Sequence, residues 1–192
     1  MQKRIEEIAA DVACMLGESL VLECEPEESP FPGLASRIGL LARECLATLL
    51  LESPKSMLDG WKPLRGELTH DAATGTATMA LPEDFLRLGS VKYSGWKKSV
   101  DEITDTGDVE VAIARGLWPG IGVNEWRPLA TIEPGEDGRV LRLYGCPEAG
   151  TLEHGLYMPM PALSGDTLEV PAALYGRLCR EVVKASQTTV PL

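Results

Sequence analysis

Histidine is nearly missing from this sequence: 192 residues contain two, His70 and His154. Any histidine-based triad or zinc site must use one of them. H-E-x-x-H is absent, and so is the nucleophile elbow G-x-S-x-G. His70 precedes Asp71 at a predicted hairpin edge, and His154 stands in Glu153-His154-Gly155. A strand histidine without a chemical task is the plainer reading of each. Aromatics are also scarce, at 5%, which argues against sugar stacking beside a catalytic carboxylate pair. The five cysteines, Cys14, Cys24, Cys45, Cys146 and Cys179, contain no C-x-x-C and are odd in number. They read as small core fillers in a reducing compartment.

Long apolar runs are missing too. The most apolar stretch, Leu46 to Leu51, is far too short to span a bilayer. The segment Met1-Gln2-Lys3-Arg4-Ile5-Glu6-Glu7 lacks the apolar stretch of a secretory signal. The expectation is a protein of the cytosol or of a virion, with no membrane partner. Bases are outnumbered, 18 Lys and Arg against 29 Asp and Glu, for a net charge of −11. Such a surface repels phosphate backbones, so sequence-specific nucleic-acid binding is not expected. A local basic patch remains compatible with these numbers. An acidic wall past which DNA slides without sticking fits them as well.

Cofactor and metal motifs fail in detail. Gly116 to Gly122 is glycine-rich but has no G-K-[ST] ending. Asp101, Asp105 and Asp108 suggest a calcium loop, yet its sixth position is Thr106 and its twelfth Ala112. A solvated acidic loop accounts for them. No cofactor, metal or catalytic residue is expected.

What is present is a clear change of periodicity. Ile5, Ile8, Ala9, Val12, Met15 and Leu16 recur at helical spacing, and Gly17 stands where a C-cap belongs. This predicts a helix over about 2–17. Leu34, Ile38, Leu41, Cys45 and Leu49 line a second helix over 34–52, closed by Pro54. Leu40, Leu46, Leu50 and Leu51 widen its apolar surface beyond one stripe, so more than one side should be covered. Leu40, Leu50 and Leu51 are candidates for burial within the subunit or against a neighbour. Between the helices, Glu23, Glu25, Glu27 and Glu28 sit among prolines. They form either a solvated loop or a channel-facing acidic cluster.

From about 61 to 160 the runs shorten to strand length. Leu68 to His70 and Thr76 to Leu81 flank the turn Asp71 to Gly75, and Phe85 to Tyr93 follows. Arg127 to Ile132 and Val140 to Tyr144 flank Glu136-Asp137-Gly138, a strong hairpin signal. Leu152 to Met160 is another strand. A last helix is predicted over 171–186, with Pro171 at its first position and Leu174, Leu178 and Val182 on one face. The expected fold is a single α+β domain over 1–192, its helices packed together around a mostly antiparallel middle. Four tryptophans, Trp61, Trp96, Trp118 and Trp126, fall in that middle. Packing is the ordinary role, and Trp96 and Trp118 are candidates for an interface.

One passage is more specific. Asp71-Ala72-Ala73-Thr74-Gly75, then Leu81-Pro82-Glu83-Asp84-Phe85-Leu86-Arg87-Leu88, resembles the D-x-x-T-G … L-P-x-D-F-L-R-L passage of head–tail connector proteins of tailed phages, the tail tubular protein A or gatekeeper group. Ser90 to Val100 is similar to versions encoded in bacterial prophages. The element order agrees, including a last helix introduced by Leu168-Glu169-Val170-Pro171. The resemblance implies a non-enzymatic virion subunit, present in the host cytoplasm during assembly. Its partners are portal and tail proteins, and it forms a homo-oligomeric ring, twelvefold by analogy. The alternatives are a small intracellular enzyme with a carboxylate site or a generic protein-binding module.

Overall fold

The computed structural model describes residues 1–16, 34–116, 123–136 and 138–188. The chain opens with strand β1 (Gln2–Arg4) and helix α1 (Ile5–Leu16), then helix α2 (Leu34–Glu52) and a 3-10 turn at Lys55–Met57. Strands β2 (Lys62–Pro63), β3 (Thr69–Asp71), β4 (Thr76–Ala80) and β5 (Phe85–Tyr93) precede a short helix α3 (Val109–Arg115). Strands β6 (Leu129–Gly135), β7 (Gly138–Tyr144) and β8 (Leu152–Pro159) follow. The chain returns through β9 (Leu163–Ser164), β10 (Thr167–Glu169) and a 3-10 turn at Ala172–Leu174 into α4 (Tyr175–Thr188). This is an α+β fold with antiparallel sheets. It comprises two compact units, Trp61–Pro159 and a helical one made of Met1–Gly60 with Met160–Leu192. The boundary falls where the sequence changes from helical to strand periodicity.

In the helical unit, Ile8 and Val12 of α1, Ala42 and Leu46 of α2, and Leu174, Leu178 and Val182 are buried. The stripe predicted for the last helix is therefore core, its members one turn apart. Tyr175 donates its hydroxyl to the Asp11 carboxylate, and Lys3 Nζ lies 4.9 Å from the same ring. Strand β1 pairs with β10, Lys3 opposite Leu168, so the first and last parts of the chain share one sheet.

Two boundaries and one buried face differ from expectation. Residues 2–4 are strand and not helix, because their backbone is taken by β10. The last helix starts at Tyr175, after a 3-10 turn for which Pro171, at ψ 130°, is the flanking residue. On α2 the buried stripe passes through Gly39, Ala42, Leu46, Leu49 and Leu50, while Ile38, Leu41 and Cys45 are half-buried. Gly39 faces α1: a Cβ built there would stand 3.5 Å from the Ile5 side chain, in ordinary van der Waals contact. Gly17 lies outside the described residues.

In the strand unit, one sheet runs β3-β4-β7-β6 and another β2-β8-β5. Both predicted hairpins form. Thr69 pairs with Thr78 across the first, and Gly135 with Gly138 closes the second, Gly138 at φ 128°. Leu141, Leu143, Val91, Phe85 and Tyr93 fill the core, with half-buried positions between them. Helix α3 was not expected from the sequence. No helix among the described residues is long and apolar enough to cross a membrane.

Leu178 is fully buried in α4. Leu178→Ala is expected to lower stability by about 2–5 kcal/mol through lost burial and a residual cavity. Urea denaturation followed by helical circular dichroism checks this.

Candidate functional site

The 71–88 passage is built as a joint between strands. Asp71 Oδ1 accepts the Ala73 N–H at 2.9 Å, and its Oδ2 accepts the Thr74 hydroxyl at 2.8 Å. Gly75 then takes φ 60°, the left-handed conformation that ends such a turn. The Cys146 N–H donates to the Gly75 carbonyl at 2.9 Å. His70 Nε2 meets the Cys146 carbonyl at 2.8 Å, a contact that requires the Nε2–H tautomer.

The second half of the passage turns at Pro82, whose carbonyl accepts the Phe85 N–H at 3.0 Å. Asp84 Oδ1 accepts the Tyr157 hydroxyl at 2.9 Å, and Oδ2 pairs with Lys62 Nζ at 2.8 Å. The Lys62 hydrogen bond and charge, helped by Tyr157, hold the Asp84 carboxyl below its ordinary range. Phe85 stacks on Tyr157 with centroids 5.7 Å apart, and the Arg139 guanidinium lies 5.6 Å from the Phe85 ring. Asp71, Thr74 and Asp84 are thus engaged in internal bonds, joining β3 to β4 and β5 to β8 and β2.

A polar cluster that the sequence did not disclose centres on Glu133 of β6. Arg115 of α3 donates to its Oε1 at 2.7 Å and Arg142 of β7 to its Oε2 at 2.9 Å. The Thr131 and Tyr144 hydroxyls donate to Oε1 at 3.1 and 3.2 Å. Burial pushes the Glu133 carboxyl up, but the two guanidiniums outweigh it and hold the group below its usual range. The cluster fastens α3 to the β6–β7 hairpin. Its partners are 9 and 18 residues away in sequence, so no local motif announces it.

A cleft of about 220 Å³ lies beside the Asp71 turn, lined in part by Thr74, Asn124, Glu125, Tyr144 and Cys146. Burial pushes the Cys146 thiol up to about 12, so it is not a thiolate at neutral pH. His154 is exposed on the β5–β8 pair, with Nε2 2.8 Å from the Ser90 hydroxyl. Among the described residues, no group of three His, Cys, Asp or Glu side chains is placed to hold a metal ion. Cys146 and Cys179 are buried as core fillers, Cys45 is half-buried, and Cys14 is exposed on α1 against that expectation. Cys24 lies outside the described residues.

The predicted interface residues divide. Leu50 is 4% and Trp96 2% exposed. Both belong to the cores of their own units, and the Trp96 indole donates to the Gly145 carbonyl at 2.9 Å. Trp96 is therefore a packing residue in this unit. Leu40 and Leu51 are exposed, at 52% and 48%. Trp118 and the cluster Glu23, Glu25, Glu27 and Glu28 lie outside the described residues. Trp126, not singled out from sequence, is 59% exposed. No family model matches this chain, and no curated protein matches it.

Glu133→Gln removes the charge that both guanidiniums face, and about 1–3 kcal/mol of stability should be lost at pH 7. Because the folded carboxyl titrates below the ordinary value of 4.5, its contribution is full above that pH. It is lost as pH falls through the lower folded value. The stability gap between wild type and variant should hold from neutrality to about pH 5 and close below it. Denaturation midpoints across pH measure this.

Proposed function

We propose that this chain is a structural subunit of a tailed-phage head–tail connector, joining the portal to the tail without catalysing a reaction. The observation that carries the reading is the 71–88 passage. Its resemblance to the connector proteins extends to the residues that close the β3–β4 hairpin and anchor β5. In a subunit whose task is shape, residues of such a passage are expected to serve the fold, and Asp71, Thr74 and Asp84 do. The exposed Leu40 and Leu51 of α2 supply apolar surface suited to a neighbouring subunit or the portal. The net charge of −11 suits a wall that DNA passes, since cations there would add salt-dependent attraction. The proposed setting is a homo-oligomeric ring in the virion, assembled in the host cytoplasm on a portal template.

The test mixes the purified chain with the portal protein encoded beside it and images the product by electron microscopy. A ring of this chain seated on the portal is expected at low and moderate salt. Leu40→Glu with Leu51→Glu should weaken that binding about tenfold or more while the circular dichroism spectrum is kept. Failure of the folded wild-type chain to bind its portal at either salt concentration counts decisively against the connector.

A further inference from the structure

The cleft beside the Asp71 turn holds a carboxylate that the fold leaves unanswered. Four carboxylates among the described residues are half-buried, those of Asp84, Glu125, Glu133 and Glu181, and the others are exposed. Lys62 pairs with Asp84, Arg115 and Arg142 pair with Glu133, and Lys184 pairs with Glu181. The Glu125 carboxylate has no ion pair and no hydrogen bond among the described residues. Every Lys, Arg and His of the sequence lies among those residues, so no base of this chain pairs with it. Taking a carboxylate partly out of water costs free energy that a nearby cation returns. At Glu125 that cation is missing from the chain itself.

The backbone of Glu125 is held on both sides. The Lys97 N–H donates to the Glu125 carbonyl at 2.8 Å. Asn124 Oδ1 accepts the N–H groups of Trp126 and Arg127 at 2.8 and 3.1 Å. Gly145 lets this turn come close to the end of β7. It stands at φ 80°, and a Cβ there would lie 2.8 Å from the Asn124 carbonyl oxygen. The position of Glu125 is therefore set before any ligand arrives, which limits the entropy cost of binding.

The rest of the cleft selects the kind of cation. Ala114, Val123, Tyr144 and Pro147 line it with Glu125 and give it apolar walls. Its volume of about 220 Å³ is below the roughly 300 Å³ at which drug-sized pockets begin, so it suits a group of side-chain size. A metal ion is a poor match, since no three His, Cys, Asp or Glu side chains are placed together among the described residues. An ammonium on an alkyl stem matches better. Its compact charge meets one carboxylate, and its methylenes lie along apolar walls.

We propose that this cleft binds a primary alkylammonium group, with Glu125 as the counter-ion. A free amine and the lysine side chain of another protein both carry that group. The inference stands apart from the connector reading, because it rests on an unpaired charge in a cleft and not on a resemblance.

The experiment is isothermal titration calorimetry of the full chain with n-butylammonium chloride at low salt. Sodium chloride at equal ionic strength and neutral n-butanol are the references. Saturable binding of n-butylammonium is expected, with neither reference matching it. Glu125→Gln should weaken it about tenfold or more through loss of a charged hydrogen bond. Ala114→Leu, which fills the cleft, should weaken it to a similar degree. Circular dichroism confirms that each variant is folded. Amide shifts in the nuclear magnetic resonance spectrum of wild type locate the ligand without any variant: Gly75, Gly145 and Cys146 should move with n-butylammonium and not with n-butanol. A Gly-Lys-Gly peptide with blocked ends separates the two sources. Peptide affinity within tenfold of the amine assigns the cleft to a lysine side chain, and weaker peptide binding assigns it to a free amine. A response to n-butylammonium no larger than that to sodium overturns the proposal. So does equal affinity for n-butanol, unchanged affinity in folded Glu125→Gln, or amide shifts away from the cleft. Portal binding is read separately, so either proposal can fail while the other stands.

Discussion

The helical unit depends on burying one stripe of α4. Helices of this length are marginal in water by themselves, and their stability comes from an apolar face that finds a partner. Leu178 and Val182, with Leu174 of the preceding 3-10 turn, supply that face, and α1 and α2 pack on α4 with Ile8, Val12, Ala42 and Leu46 buried. The core is therefore assembled from both ends of the chain. Sheet β1-β10-β9 reinforces the arrangement, because Gln2, Lys3 and Arg4 find their backbone partners only in residues 167–169. Gly39 and Ala42 are buried on the same stretch of α2, Gly39 facing Ile5 of α1.

The strand unit solves a different problem. Its two sheets are short, and short sheets need fastening beyond their ladders. Asp84 fastens β5 to β8 and β2 through Tyr157 and Lys62, while Glu133 fastens α3 to the β6–β7 hairpin. Both carboxylates are held ionised by nearby cations and donors, so their value is architectural and grows where solvent is partly excluded. Among the described residues, no buried side-chain polar atom lacks a hydrogen-bond partner. The polar residues that looked available for chemistry are largely occupied with each other.

Long or strongly punctuated elements were legible in the sequence. Helix α2 spans the predicted residues, and both hairpins form where Asp and Gly mark turns. The face of α2 was less legible, because core-facing Gly39 and Ala42 carry little apolar signal while exposed Leu40 and Leu51 carry much. Helix α3 has seven residues and one buried side chain, Val111, too few for a period to register. Strands β1, β9 and β10 have two or three residues each and exist through pairing across the chain. Trp96 was an interface candidate as a tryptophan, but a single distant acceptor, the Gly145 carbonyl, satisfies its indole and allows burial. Trp126 stays outside because its turn closes on Asn124, which only the folded loop reveals.

The pairing of β2 with β8 has a consequence for biosynthesis. Lys62 lies opposite Tyr157 and Pro63 opposite Leu156, so the strand unit closes at its own two ends. It is synthesised in full before α4, and contiguous units fold as they emerge. Once it has folded, the segments that lead into and out of it are already neighbours. The loop that the helical unit must close shrinks from about a hundred residues to a few, which spares about 2–3 kcal/mol of chain entropy. Translation order and strand pairing together shorten the chain that the helical unit must close.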